Sequence, residues 1–104
     1  MWHEKSLVPY VVRFLATREN YHATTKELKE YLSSNLSLDK EDLEYTSSNK
    51  FGTKTNRFNK IVGNFISHNK LGKMRLGENA LNQNGKYGVK LYDEVGRIVN
   101  IVSI

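Results

Sequence analysis

Side chains that usually carry chemistry are thinly spread in this chain. His3, His22 and His68 lie far apart and lack the spacing of a metal-binding motif, and there is no cysteine to supply a thiolate ligand or a disulfide. Glu27–Lys29 reads "ELK", which superficially fits the E-x-K element of metal-dependent nucleases, but it falls in an amphipathic segment where ordinary surface charge accounts for it. "GTKTNR" (52–57) lacks the spacing of a phosphate-binding P-loop. No Ser–His–acid set can be argued. The reading is of a chain without its own catalytic constellation, without a cofactor and not itself an enzyme. The absence of cysteine suits a reducing cytoplasm.

The chemistry that does stand out is electrostatic. The 104 residues carry a formal net charge of +5, unevenly placed. Residues 1–44 hold six Lys/Arg and eight Asp/Glu, whereas residues 45–77 hold seven Lys/Arg (Lys50, Lys54, Arg57, Lys60, Lys70, Lys73, Arg75) and no acid. Residues 78–104 hold three of each. A concentrated basic segment is the footprint of a polyanion binder. The bland alternative is a solvated basic surface.

The entrance to this segment, "GTKTNRF", leads into "NKIVGNFISHNKLG", which has helical spacing. An ordinary helix start favours Asp or Glu, because the helix dipole attracts negative charge there. Here Thr53, Lys54, Thr55 and Arg57 instead offer hydroxyls and cations suited to phosphate oxygens. Asn56, Asn59, Lys60 and Asn64 are of the types that read base edges, Asn pairing with adenine and Lys with guanine. Ser67 continues the same polar side. In the later hairpin, Lys86 and Tyr87 can reach a nucleic-acid backbone or minor groove. Each has a structural alternative. Arg57 can pair with the acids Asp39, Glu41, Asp42 and Glu44; Tyr87 and Tyr92 can simply pack; Gly63 can serve close helix packing or close approach to DNA.

The elements that must position these residues follow from periodicity and caps. Ser6 is a candidate cap for a first helix over about 7–18, with Pro9 in its first turn and Leu7, Tyr10, Val11, Phe14 and Leu15 on one face. "RENYHA" reads as a polar connection. Thr24 and Glu27 form a capping-box pattern ahead of a second helix carrying Leu28, Tyr31 and Leu32. Ser37 is a candidate cap for a short helical turn, "LDKEDLEY", whose early acids suit a helix start. "TSSNKFGTK" reads as a loop. Thr55 is the candidate cap of a third helix over about 56–70, whose Phe58, Ile61, Val62, Phe65 and Ile66 fall within an arc of about 140°. The opposite side, Asn56, Lys60, Gly63, Asn64 and Ser67, has no carboxylate. Gly72 is a plausible stop. "KMRL" is a short strand candidate, Asn84-Gly85 signals a hairpin, and "YGVKLY" alternates as a strand. "RIVNIVSI" reads either as a third strand or as a helix leading to another domain.

Helix, helix, short turn, helix and hairpin are the order of a winged helix-turn-helix: a mainly α member of the α/β class, with a three-helix core and a C-terminal β-hairpin wing, in a single domain over 1–104. The run from Leu38 to Met74 also resembles the N-terminal winged-helix domain of Mrr-type restriction endonucleases. The matching positions are Leu38, Glu41, Asp42 and Leu43, then Arg57, Phe58, Val62, Ile66 and Leu71-Gly72, with Leu91 and Gly96 near the end. Gly63-Asn64 stands where that family usually has a tryptophan-alanine pair. The resemblance implies double-stranded DNA as partner and an effector nuclease domain elsewhere in a longer protein, to which the abrupt ending "IVNIVSI" is suited. It also raises recognition of a modified base, for which Trp2, Tyr87 and Tyr92 are the aromatic candidates.

Two rival readings use the same fold. One is a protein-interaction or dimerisation module. The other is a small transcriptional repressor that binds a palindrome as a homodimer. No apolar run approaches the ~20 residues needed to cross a bilayer, so no membrane partner is expected.

Overall fold

Ser6 closes the first turn of helix α1 (Glu4–Ala16) from inside rather than capping it from outside. Its Oγ accepts from the His3 N–H at 3.0 Å. The computed structural model describes residues 1–45 and 55–102. Pro9 consequently lies within α1 and not in its first turn. It cannot donate to the carbonyl four residues earlier, an omission tolerated on an exposed face. Leu7, Val8, Val11 and Leu15 are buried, while Tyr10 is partly exposed and Phe14 stacks on Tyr31 with ring centroids 3.9 Å apart.

The stretch expected as a plain connection contains structure. A 3-10 turn, Glu19–Tyr21, leads into strand β1 (His22–Thr24). Asn20 and Tyr21 both adopt left-handed backbone angles, φ 56° and 54°, which reverse the chain out of α1 and into the sheet. Helix α2 (Thr25–Asn35) then starts at the expected capping box. The Glu27 N–H donates to Thr24 Oγ1 at 3.1 Å, and the Thr24 N–H donates to Glu27 Oε1 at 2.9 Å.

The short helix α3 (Lys40–Leu43) is capped by Asp39, not Ser37: Asp39 Oδ1 accepts from the Asp42 N–H at 2.9 Å. A carboxylate is the better partner for a helix start. Helix α4 (Arg57–Ser67) is likewise capped one residue later than expected, by Asn56, whose Oδ1 accepts from the Asn59 N–H at 2.7 Å. Helix α5 (Lys70–Lys73) follows and contains Gly72, so that glycine does not end the third helix. The left-handed residue at the junction is Asn69, φ 50°. "KMRL" is therefore the end of α5 and a turn rather than a strand.

Strands β2 (Gly77–Leu81) and β3 (Tyr87–Leu91) form the expected hairpin. Its tip is longer than a two-residue turn. Asn82 Oδ1 accepts from the N–H groups of Asn84 and Lys86, each at 2.9 Å, and Gly85 takes φ +77°. The sheet is antiparallel in the order β1-β3-β2, with Ala23 opposite Val89 and Asn79 opposite Val89 on the other side. "RIVNIVSI" lies mostly in helix α6 (Asp93–Val102). Asp93 and Glu94 suit its first turn, and Val95, Ile98, Val99 and Val102 recur at i, i+3, i+4 and i+7, so periodicity overrides the strand propensity of β-branched residues.

The core joins α1, α2 and α4 to the inner side of the sheet. Its largest fully buried side chains include Phe58, Phe65, Leu7, Leu15, Leu28, Leu32, Leu71 and Leu91. Phe58, Val62, Phe65 and Ile66 of α4 are buried as the stripe predicts. The structure is thus α-rich with a three-stranded antiparallel sheet. Among the described residues, no helix is long and apolar enough to cross a membrane.

The capping box has a consequence for acid stability. Hydrogen bonds from the Thr24 backbone, opposed by desolvation and aided by the Thr24 hydroxyl and Arg18, hold the Glu27 carboxyl below its ordinary value of 4.5. A carboxyl depressed in the folded state contributes stability that is present above its unfolded pKa. That contribution falls away as pH drops from 4.5 through the lower folded value. Glu27→Gln is expected to flatten this part of a thermal-melt series run from pH 6 to pH 3. An unchanged pH dependence would assign no role to the box.

Candidate nucleic-acid interface

The buried stripe of α4 turns its opposite side outward. Lys60 and Ser67 are exposed, and Asn56, Gly63 and Asn64 are half-buried, in a line spaced three or four residues apart. No carboxylate lies on this line, and Lys60 has no ion-pair partner among the described residues. Ser67 Oγ donates to the Asn64 main-chain carbonyl at 3.3 Å, and the Asn64 side-chain amide has no hydrogen-bond partner among the described residues.

The structure separates the expected contact residues into distinct groups. Thr53 and Lys54 lie outside the described residues. Thr55 is half-buried at the approach to α4. Arg57 faces inward: its guanidinium lies 3.6 Å from Asp42 Oδ1 and donates to the Trp2 carbonyl at 3.2 Å. Of its two readings, pairing with the acidic cluster is the one the geometry shows. Its backbone N–H donates to the Glu44 carbonyl at 2.7 Å, and Tyr45 bridges to Asn56. The entrance to α4 is therefore fastened to the α3 segment.

The asparagines also divide. Asn56 spends its Oδ1 on the cap. Asn59 Oδ1 is buried without a hydrogen-bond partner among the described residues. A bidentate contact to adenine needs both the oxygen and the nitrogen of one amide, so neither presents the complete amide in this conformation. Asn64 and Lys60 are the α4 residues whose heads remain available for base contact.

Asp42 explains the pull on Arg57. It is fully buried, and its carboxylate accepts from the Trp2 N–H at 2.9 Å and the Asp39 N–H at 3.1 Å. Trp2 is held as well: its Nε1–H donates to the Ser37 carbonyl at 2.8 Å and its ring meets Tyr10 edge-on at 5.3 Å. These contacts tie the half-buried ring to α1 and to the segment ahead of α3. Tyr87 and Tyr92 are 51% and 41% exposed, so neither is consumed by packing. Lys86, beside Tyr87, is exposed at the hairpin.

One neighbour of this face carries no signal in the sequence. Lys29 of α2 reaches over α4, its Nζ 3.8 Å from where a Cβ on Gly63 would stand. Nothing in the spacing of α2 alone signals this, because it depends on how two helices cross. Among the described residues no group of three or more His, Asp or Glu side chains is placed to hold a metal ion. No protein-family model, curated protein or solved structure matches the chain.

Proposed function

We propose that the chain is a winged-helix module that binds double-stranded DNA, with α4 as the helix entering the major groove and the β2–β3 hairpin as the wing. The observation that carries this reading is the outward face of α4, which is polar, carries Lys60, unpaired among the described residues, and has no carboxylate. The longer elements up to the hairpin, α1, β1, α2, α4, β2 and β3, with the short α3 and α5 flanking α4 and β1 beside β3, support the fold assignment, and α6 follows as an addition to it. Lys60 and Asn64 are the proposed base-side contacts, Ser67, Lys86 and Tyr87 the flanking ones, and Asn56 approaches through its amide nitrogen. Arg57 acts in positioning α4. The resemblance to Mrr-type enzymes extends the proposal to a specificity module joined to a nuclease, working in the cytoplasm on modified DNA.

Fluorescence anisotropy on random, methylated and unmethylated duplexes across a salt series tests the proposal. Binding is expected to weaken steeply with salt, and Lys60→Ala to reduce the log–log slope by about one. Asn64→Ala is expected to change preference among duplexes while leaving that slope alone. No affinity at low salt, or affinity indifferent to salt, would sink the DNA reading.

A protein-interaction role is the second reading, favoured by one feature. Pro9, Val12, Ile98, Val99 and Val102 line an apolar groove between α1 and α6, and Ile98, Ile101 and Val102 are 53%, 71% and 80% exposed. Apolar exposure of this kind marks contact surfaces.

A further inference from the structure

We infer that Lys29 of α2 is a phosphate contact, seated across α4 at Gly63, so that two helices share one stretch of the DNA backbone. The inference rests on the DNA reading above and adds to it a residue from a different element. Three observations converge on this position. First, Gly63 interrupts the outward line of α4 between Lys60 and Ser67 with a residue that has no side chain. Second, the Lys29 stem fills the space above it: Cε and Nζ lie 3.9 and 3.8 Å from the position of an absent Cβ. A larger side chain at 63 would push the lysine away from α4. Third, the ammonium has no carboxylate partner among the described residues; of the acids of α2, Glu30 faces Lys26 at 4.0 Å and Glu27 pairs with Arg18.

Lys29 and Lys60 therefore bring two cations from two helices to one side, with Asn64 and Ser67 next to them and no acid on α4 to balance them. Unbalanced like charges on a packed surface repel one another, and an external anion relieves this. A phosphodiester is the anion that the rest of this face is suited to. Lysine binds it as a point charge and needs no fixed fork geometry. The contact would position the duplex without selecting a sequence.

The experiment compares salt slopes for the wild type, Lys29→Gln and Lys26→Gln on one unmodified duplex. Glutamine has nearly the helix propensity of lysine, so α2 is expected to persist; far-UV circular dichroism and thermal melts check this. Lys29→Gln is expected to lower the slope by about 0.9, so that a fourfold rise in salt narrows its affinity gap from the wild type about threefold. Lys26→Gln, which removes a cation already facing Glu30, is expected to leave the slope unchanged. Gly63→Ala is expected to keep the wild-type slope, since its Cβ would meet Lys29 at ordinary contact distance. A wild-type slope in Lys29→Gln overturns the contact while the DNA reading stands. A wild type with no salt-dependent binding overturns both.

Discussion

Asp42→Ala is expected to destabilise the protein by about 3 kcal/mol, which for a domain of this size lowers the melting temperature by about 15 °C. The carboxylate is fully buried and meets three groups: the N–H of Trp2, the N–H of Asp39 and the guanidinium of Arg57, whose other bond is to the Trp2 carbonyl. Removing it strands the two amides and leaves a cation in a pocket shaped for a pair. Asp42→Asn keeps an acceptor and loses the charge, so its cost should be smaller. Urea denaturation monitored by Trp2 fluorescence measures both, and an unchanged midpoint for Asp42→Ala would refute the account. The companion variant Arg57→Gln separates structure from binding. It is expected to lower stability while leaving the salt slope for DNA unchanged, the reverse of Lys60→Ala. A slope reduced by about one in Arg57→Gln would return that residue to the contact surface.

Gly88→Ala is expected to cost at least about 3 kcal/mol, as overpacking at a point where no side chain can yield. An added Cβ would overlap the Ala23 carbonyl oxygen and lie 2.6 Å from the Thr24 Cα, so the obstacle is backbone. β1 must then leave β3, and with it goes the burial of Ala23. Hydrogen exchange would show the loss directly, as protection vanishing from residues 22–24 before the β2–β3 amides are affected. Gly85→Ala makes a useful contrast: its Cβ meets nothing within 4 Å, and only the φ of +77° opposes it. That cost should be about 1–2 kcal/mol. Equal losses at the two glycines would argue against the steric account.

Local signals foretold the elements that local chemistry decides. The Thr24–Glu27 box marked the start of α2, and the Phe58-to-Ile66 stripe marked the buried side of α4. The Asn84-Gly85 pair marked the hairpin. What escaped notice depends on tertiary partners. β1 is three residues long and too short to show alternation; it is a strand because β3 lies beside it. Ser37 and Thr55 were reasonable caps by residue type, yet Asp39 and Asn56 won because each lay three residues before an N–H it could reach. α6 did carry a signal, in the pair Asp93-Glu94 before Val95, Ile98, Val99 and Val102, but its β-branched composition pointed the other way. At the candidate site, the acid-free face was legible because it belongs to one helix. The inward turn of Arg57 and the crossing of Lys29 over Gly63 were not, since each joins segments distant in the chain.

The strand order β1-β3-β2 bears on the order of assembly. β2 and β3 are joined by a short turn and can pair at once. Thr24 and Gly88 are partners, yet α2, α3, α4 and α5 all lie between them in the chain. Pairing them closes a long loop, an entropic cost the chain meets only when α2 and α4 already bring the ends together. β1 is then expected to dock late, over a preformed hairpin, and Gly88→Ala to act chiefly by accelerating unfolding rather than by slowing the first collapse. Stopped-flow chevrons for that variant would show the effect in the unfolding limb.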